Sequence, residues 1–552
     1  MKNNYYRIAS GAIGATLFFI CGGEKILNVN NIMWFGSGDA AQHWLGWNFF
    51  RSTPLFQWPL GLNQPYGMDV SSSIVFTDSI PLLAIFFKII SFALPDEFQY
   101  TGIWLLTCCV LQGVTAYELI YRNTKDSAYS VFSSAIFCLT PIMIFRMMGH
   151  FALSAHFMIL ASFILYGMNQ PNKRWIALIS ISSAIHFYIT GMLLAVFVTY
   201  LGKSIIKKEI KIKSALYLFS LTMIALTFTM YALGYFVIAD GADGSGYGLY
   251  NMNVNAFYNP MYPWVSSIIN PLPHQKLDYE GFAYLGFGVT ATILIGSFYI
   301  ITYKKLRKDI IVGLASCLLL LMFSISNNIF IGDIKVFSLH LPDGIYKILN
   351  IFRSSGRFVW VVIYATLAFF IVIIYSNKKR VLCISIIGVS SLVQYYDIHG
   401  MFSKVRERYA ENVDMSRGLN NPSNDNLIKD KRKIEVVMPI DFYFDWPSIG
   451  YIASKNKLSM NFGYMARFSM KAKTQQQKSI LFMLYNGIYD PDSLYLFKDR
   501  WTLDMAMNTI KQKHRIEMLG DYYALTVTKE ILNKSKSTNK DDFYQAFYSH
   551  YN

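Results

Sequence analysis

The feature that most constrains this chain is a succession of long apolar stretches. A helix that crosses a bilayer needs about 20 consecutive, mostly apolar residues, because lipid offers the backbone no hydrogen-bond partner outside the helix itself. About eleven stretches meet that description, at roughly 8–27, 100–120, 127–145, 152–168, 174–188, 189–203, 214–239, 283–303, 310–331, 358–377 and 380–396. The fifth and sixth are short and part only around Ile189, Thr190 and Gly191. A further stretch, Ile80–Leu94, follows Asp78, has Pro81 near its start, contains Lys88 and ends at Pro95, which reads as an interfacial or re-entrant helix. Composition agrees: the 552 residues are 53% hydrophobic and only 15% charged. Soluble domains carry about 25% charged residues. A disordered chain, a coiled coil and a collagen-like protein are excluded. The first stretch lacks an A-x-A-like cleavage site and runs into Gly22-Gly23-Glu24-Lys25, so it reads as a span and not as a cleaved signal peptide.

The net charge is +16, from 50 basic and 34 acidic residues. Such an excess can mark a nucleic-acid binder, but here it sits in short clusters between apolar stretches, as in the cytoplasmic loops of membrane proteins. One set of loops holds Lys2 and Arg7, Arg122 and Lys125, Lys173 and Arg174, then the clusters Lys203–Lys213, Lys304–Lys308 and Lys378–Arg380. The opposite set holds Asp39, Asp69, Asp78, Asp96, Glu97, Asp240, Asp243, Asp278, Glu280, Asp333 and Asp343. With eleven spans this alternation puts the N-terminus inside and the C-terminus outside, and no nucleic-acid partner is expected. All six cysteines lie in apolar stretches, so neither a disulfide framework nor a zinc spacing is present.

The expected organisation is a membrane domain over 1–397, with outer loops at 28–99 and 240–282, and a small outward-facing α/β domain over 398–552. Ile434–Pro439 is strand-like, Gln475–Tyr485 is helix-like, and about the last fifteen residues, with the highly polar run Lys534–Asp542, are expected to be loose. No internal repeat is visible.

The residues able to carry chemistry gather in the outer segments. Gly36-Ser37-Gly38-Asp39 opens an aromatic helix, and His43 follows Asp39 by one turn on the same face. Asp39 reads as a helix cap, as a carboxylate able to take a proton from a hydroxyl, or as both. Asp78 precedes the apolar Ile80–Leu94 stretch, where capping is the default; a second acid near Asp39 would raise the pKa of one of the two. His150 and His156 fall at the outer ends of the third and fourth spans, without the spacing of a zinc helix, so packing or substrate hydrogen bonding is expected of them and no metal. His186 reads as structural. Phe352-Arg353-Ser354-Ser355-Gly356-Arg357-Phe358 places two arginines on the side where the positive-inside rule disfavours them. Beside a helix start they suit a phosphate, with headgroup anchoring as the plainer alternative. The loop Asp240–Tyr247 lacks the spacing of a calcium loop and reads as a lid. The aromatic residues after it, Tyr250, Phe257, Tyr258, Tyr262 and Trp264, suit sugar stacking or an interfacial belt.

Four stretches in order, Gly38–Arg51, Phe76–Leu82, Gly149–His156 and Phe352–Phe358, together with Asp445-Trp446-Pro447 in the tail, resemble a bacterial branch of the GT-C superfamily of polytopic membrane glycosyltransferases. The size and layout are similar to serotype-converting O-antigen glucosyltransferases. The resemblance implies transfer of a sugar, glucosyl by that analogy, from a polyprenyl-phosphate carrier to a glycan acceptor such as lipid-linked O-antigen, on the outer face of the inner membrane. It implies Asp39 as general base, with Asp78 the other candidate, and Arg353 or Arg357 at the carrier phosphate; His43 and His150 are candidate substrate contacts. Neither cofactor nor metal is implied. The rival classes are a flippase or polymerase for lipid-linked glycans, a non-catalytic assembly factor, and a transporter. The first predicts charge deep within the spans, the second an Asp39 that can be replaced without effect, the third matched halves with broken helices.

Overall fold

The computed structural model describes residues 2–70, 73–168, 172–238, 246–300, 308–376, 379–437, 445–532 and 539–551. Asp240, Asp243, Lys304, Lys305, Arg307, Lys378, most of the expected lid and the end of the strand-like run at 438–439 lie outside the described residues. The chain forms two compact units. One comprises Met1–Asn31, Gln99–Thr229 and Gly244–Ala410; the other comprises Ile32–Phe98, Met230–Asp243 and Glu411–Asn552. Helix Arg380–Tyr409 runs through position 397, and the chain leaves the first unit at Ala410.

The first unit is mostly helical. Each of the apolar stretches carries a helix, and among the described residues five helices are long and apolar enough to cross a membrane: Thr101–Thr124, Phe187–Ile206, Ile212–Leu233, Ser355–Tyr375 and Arg380–Tyr409. Four shorter apolar helices are Ser127–Cys138, Phe157–Tyr166, Phe287–Ile300 and Ile310–Ile325. The breaks have local causes. Thr140 is extended because Pro141 follows it, and a new short helix, Pro141–Arg146, starts at that proline. The expected break at Ile189–Gly191 lies instead at His186, whose Nδ1 accepts from the Tyr188 N–H at 3.0 Å and caps Phe187–Ile206. The stretch at 310–331 is not helical to its end. Its helix stops at Ile325, Ser326 is left-handed at φ 67°, and the residues beyond form strand β1, Asn328–Ile331, paired with β2, Ile334–Ser338. Helix Lys2–Ile20 packs closely on Thr101–Thr124: a Cβ on Gly113 would lie 2.0 Å from the Ser10 carbonyl oxygen, so only glycine admits this approach.

The second unit contains a five-stranded sheet. β3 (Lys433–Val436), β4 (Ser459–Met460), β5 (Ser493–Phe497), β6 (Gln512–Leu519) and β7 (Tyr522–Ile531) lie in the order β4-β3-β5-β7-β6. β3 is parallel to β4 and β5, and β7 is antiparallel to β5 and β6. Helix Met470–Asn486 contains the helix-like run and packs Ile480, Leu481 and Leu484 into the core with Phe497 and Leu525. The final helix, Lys540–Tyr551, is not loose. Phe543 and Phe547 anchor it in the same core because an aromatic pair one turn apart makes one face of a polar helix apolar. The segment 32–98 packs with this unit: Tyr66 donates its hydroxyl to the Tyr464 carbonyl at 3.0 Å, Asn48 donates to Ser454 at 2.9 Å, and Tyr451 donates to Glu97 at 2.6 Å.

Candidate functional sites

In the second unit, helix Gly38–Arg51 is buried from Ala40 to Phe50. Its N-cap is Ser37, which is extended, so Asp39 is not the cap but a half-buried residue of the first turn. One turn on, His43 is 1% exposed, and its Nδ1 lies 2.7 Å from the Asp78 carbonyl oxygen. A carbonyl only accepts, so Nδ1 carries the proton. Burial pulls the His43 pKa down, against the opposing pull of Asp78, and the ring is neutral at neutral pH. The Phe35 ring stacks on it with centroids 6.3 Å apart.

Asp78 does not cap the following helix either. Helix Pro81–Ile89 begins with proline at its first position, and its N-cap is Ile80. Asp78 and Ile80 are both left-handed, at φ 56° and 48°. For a β-branched residue this is an outlier that costs roughly 1–3 kcal/mol. Packing on helix Gly38–Arg51 holds the segment there. Ser79 donates its hydroxyl to the His43 carbonyl at 2.7 Å and lies 2.9 Å from the Thr77 hydroxyl, while Gln42 donates to the Phe76 carbonyl at 3.3 Å. A Cβ on Gly46 would lie 2.2 Å from Thr77 Oγ1. The sequence is thus spent on pressing Asp78 against the face that carries His43 and, one turn earlier, Asp39. This face offers a carboxylate and a neutral imidazole, the groups that general-base chemistry requires.

In the first unit the centre is Glu280, 5% exposed. Arg357 grips it with Nε and Nη2 at 2.9 and 2.6 Å, and Arg146 Nη1 donates to it at 3.1 Å. Arg146 Nη2 also donates to the Tyr279 and Glu280 carbonyls at 3.1 and 3.0 Å, and His150 Nε2 lies 3.7 Å from Glu280 Oε1. Burial alone would raise the Glu280 pKa. The Arg357 and Arg146 charges overcome that and hold the carboxyl well below the usual carboxylate range. Among the described residues, two buried guanidiniums thus converge on this one carboxylate. Glycines allow the approach: Gly281 Cα would lie 2.6 Å from a Cβ on Gly356, so the two turns meet backbone to backbone.

Around this centre the aromatic residues are ordered. Arg357 lies over the Tyr188 ring at 4.5 Å, and Tyr188 accepts the Ser354 N–H at 2.9 Å. Arg146 lies over Trp360 at 5.1 Å, and the His156 ring stacks on Trp360 at 4.6 Å. His156 Nδ1 lies 2.8 Å from the Tyr364 hydroxyl, which in turn meets Thr140 at 2.9 Å. Among the described residues, Arg146 Nε, Ser154 Oγ, His156 Nε2, Ser355 Oγ and Trp360 Nε1 are buried without a hydrogen-bond partner. Arg353 lies apart from Glu280 in its contacts, over the Tyr250 ring at 5.8 Å. Tyr262 and Trp264 stack with Phe145, their centroids 6.1 and 6.2 Å from its own.

Of the residues the sequence singles out, Asp39, His43 and Asp78 therefore fall in the second unit, and His150, Arg353 and Arg357 in the first. Sequence reasoning missed Glu280 as the partner of the arginines, and missed Tyr188, Trp360 and Tyr364 altogether. A signal for Glu280 existed. Arg146 and Arg357 both adjoin apolar stretches, where a guanidinium calls for a carboxylate, and Glu280 lies just before the stretch at 283–303.

These features define a helical membrane protein with a charged centre in its helical unit and a small α/β tail. The chain belongs to the family described as "Domain of unknown function (DUF6311)", which matches residues 11–399. A companion, the DUF6311 C-terminal domain, matches residues 425–527. Both candidate sites lie within the first of these stretches. No curated protein matches the chain.

Proposed function

We propose that this protein is a glycosyltransferase of the GT-C kind that crosses the bacterial inner membrane about eleven times, with a cytoplasmic N-terminus and a periplasmic tail. It takes a sugar from a polyprenyl-phosphate carrier and gives it to a glycan hydroxyl, with lipid-linked O-antigen the acceptor by analogy. The observation that carries this reading is the centre at Glu280. Its two buried arginines suit a leaving group that gains negative charge, because water does not screen them. The acceptor oxygen attacks the anomeric carbon. Its proton passes to a general base, the role that the resemblance gives to Asp39 or Asp78, and the carbon–oxygen bond to the carrier breaks with its electron pair remaining on the phosphate. Arg353 holds that phosphate. Arg357, clamped by Glu280, adds field and position.

The test supplies polyprenyl-phosphate glucose and a lipid-linked O-antigen acceptor to purified protein in lipid. Wild type is compared with Asp39→Asn, Asp78→Asn and Arg353→Ala, each checked for wild-type thermal unfolding. Loss of the base should cost about 10²–10⁴-fold in rate. Equal transfer by wild type and Asp39→Asn, with collapse in Asp78→Asn, moves the base to Asp78. If no polyprenyl-phosphate sugar is transferred by the wild type, the enzyme reading fails in favour of a role in polysaccharide export or assembly.

A further inference from the structure

The segment between helix Lys308–Ile325 and helix Val359–Tyr375 holds apolar side chains that remain exposed among the described residues. β1 and β2 pair Ile329 with Phe337 and Ile331 with Ile334, and a bulge between Ile329 and Phe330 absorbs Val336 as the extra residue. The bulge keeps the two faces of the ribbon distinct. One carries Ile329, Ile331, Ile334 and Phe337; the other carries Asn328, Phe330, Lys335 and Ser338. Ile334 is 67% exposed and Phe337 54%. Helix Asp343–Leu349 follows and exposes Ile345 and Ile348, one turn apart.

This exposure is not looseness. The Val254 N–H donates to the Phe330 carbonyl at 3.0 Å, Asn253 donates to the Gly332 carbonyl at 2.7 Å and accepts the Gly332 N–H at 3.0 Å, and Gln275 donates to the Asp333 carbonyl at 2.6 Å. The ribbon is therefore pinned along one edge and at its tip, with its apolar face turned out.

The ends of the segment say what covers that face. The ribbon starts at Asn328, just after an apolar helix that exposes Leu314, Leu318, Leu319 and Met322, as a helix facing lipid would. The segment ends at Ser355, where a helix long and apolar enough to cross the membrane begins. Apolar helices thus flank the segment on both sides, and its exposed apolar side chains follow those of the preceding helix along the chain. Lys347, exposed on the helix, offers its ammonium group to lipid phosphates from a flexible stem. We propose that this ribbon and helix Asp343–Leu349 dock on the lipid surface, with Ile334, Phe337 and Ile348 sunk into the boundary between headgroups and acyl chains and Lys335 turned to water. The depth expected of such interfacial elements is about 5–10 Å.

Nitroxide labels at Ile334→Cys, Phe337→Cys, Ile348→Cys and Lys335→Cys test this in full-length protein held in lipid nanodiscs. Unsubstituted protein carried through the same labelling supplies the background from the native cysteines. Collisions with oxygen, which dissolves in lipid, are compared with collisions with a water-soluble nickel chelate. The labels at 334, 337 and 348 should favour oxygen several-fold over the label at 335. Ile348 sits on a separate element, so a local disturbance of the ribbon does not decide the result. Equal nickel access at all four positions overturns the proposal, as does shielding of 334 and 337 from both reagents, which would mean a protein partner or a second copy on this face.

Discussion

Arg357 and Glu280 form a two-pronged pair, Nε and Nη2 on the two carboxylate oxygens at 2.9 and 2.6 Å, with 7% and 6% of the side chains exposed. Because Arg146 shares the same carboxylate, Glu280 is the counter-ion for two buried charges. Glu280→Gln should therefore destabilise the protein by about 3–5 kcal/mol, since it strands both guanidiniums. Adding Arg357→Gln should recover part of the loss. Thermal unfolding of single and double variants in lipid measures both, and a double variant no better than the sum of the singles would mean that the pair is not coupled.

Lys88 gives a pH signature. Its ammonium donates to the Thr53 hydroxyl and lies 4.1 Å from the Phe50 ring centroid, and burial lowers its pKa from 10.5 to about 8. Below pH 8 both states carry the proton and the folded state bears a buried charge. Between about 8 and 10.5 the unfolded chain keeps a proton that the folded protein has lost, so stability rises with pH across that window. Lys88→Met should flatten that rise in denaturation midpoints measured from pH 7 to 10.5.

The contact between Gly46 and Thr77 admits no methyl group. Gly46→Ala should push the 76–79 segment off helix Gly38–Arg51, at a cost of about 1–3 kcal/mol. The accompanying loss of the His43–Asp78 contact should appear as a changed His43 ring signal in NMR. An unchanged signal with reduced stability would place the relaxation elsewhere.

Phe547 tests the final helix. It is fully buried, so Phe547→Ala should cost about 3–5 kcal/mol and open the tail to proteolysis before Asn539. Protease resistance equal to wild type would mean that the helix contributes nothing to the core.

What could be read from the sequence was what depends on local pattern. Apolar runs marked the helices because lipid imposes length and composition on each span separately. Arg353 and Arg357 stood out because basic residues are rare where they lie. The ion pair itself was hidden because Glu280 is 77 positions from Arg357 and the turn that joins them depends on Gly281 and Gly356 meeting. The capping expected of Asp39 and Asp78 fails for a related reason. Capping preferences favour both, yet Ser37 and Ile80 occupy the caps, and what fixes Asp78 is packing on His43. The strand at Asn328–Ile331 looked like more span because its residues are as apolar as a helix; Ser326 in a left-handed turn ends the helix, and residue preference does not forecast that.

Helix Arg380–Tyr409 has 30 residues, a rod of about 45 Å. The hydrocarbon layer is about 30 Å thick. The surplus is engaged: Tyr409 donates to the Met147 carbonyl at 3.1 Å and Arg406 to the Ile20 carbonyl at 2.6 Å, so the top of the rod is bolted to the ends of two other segments. Such a rod is a ruler. A bilayer crossed by such a rod would have to adapt to it by tilt or by local stretching of its lipids, and the height at which the chain departs at Ala410 would then be set by the protein.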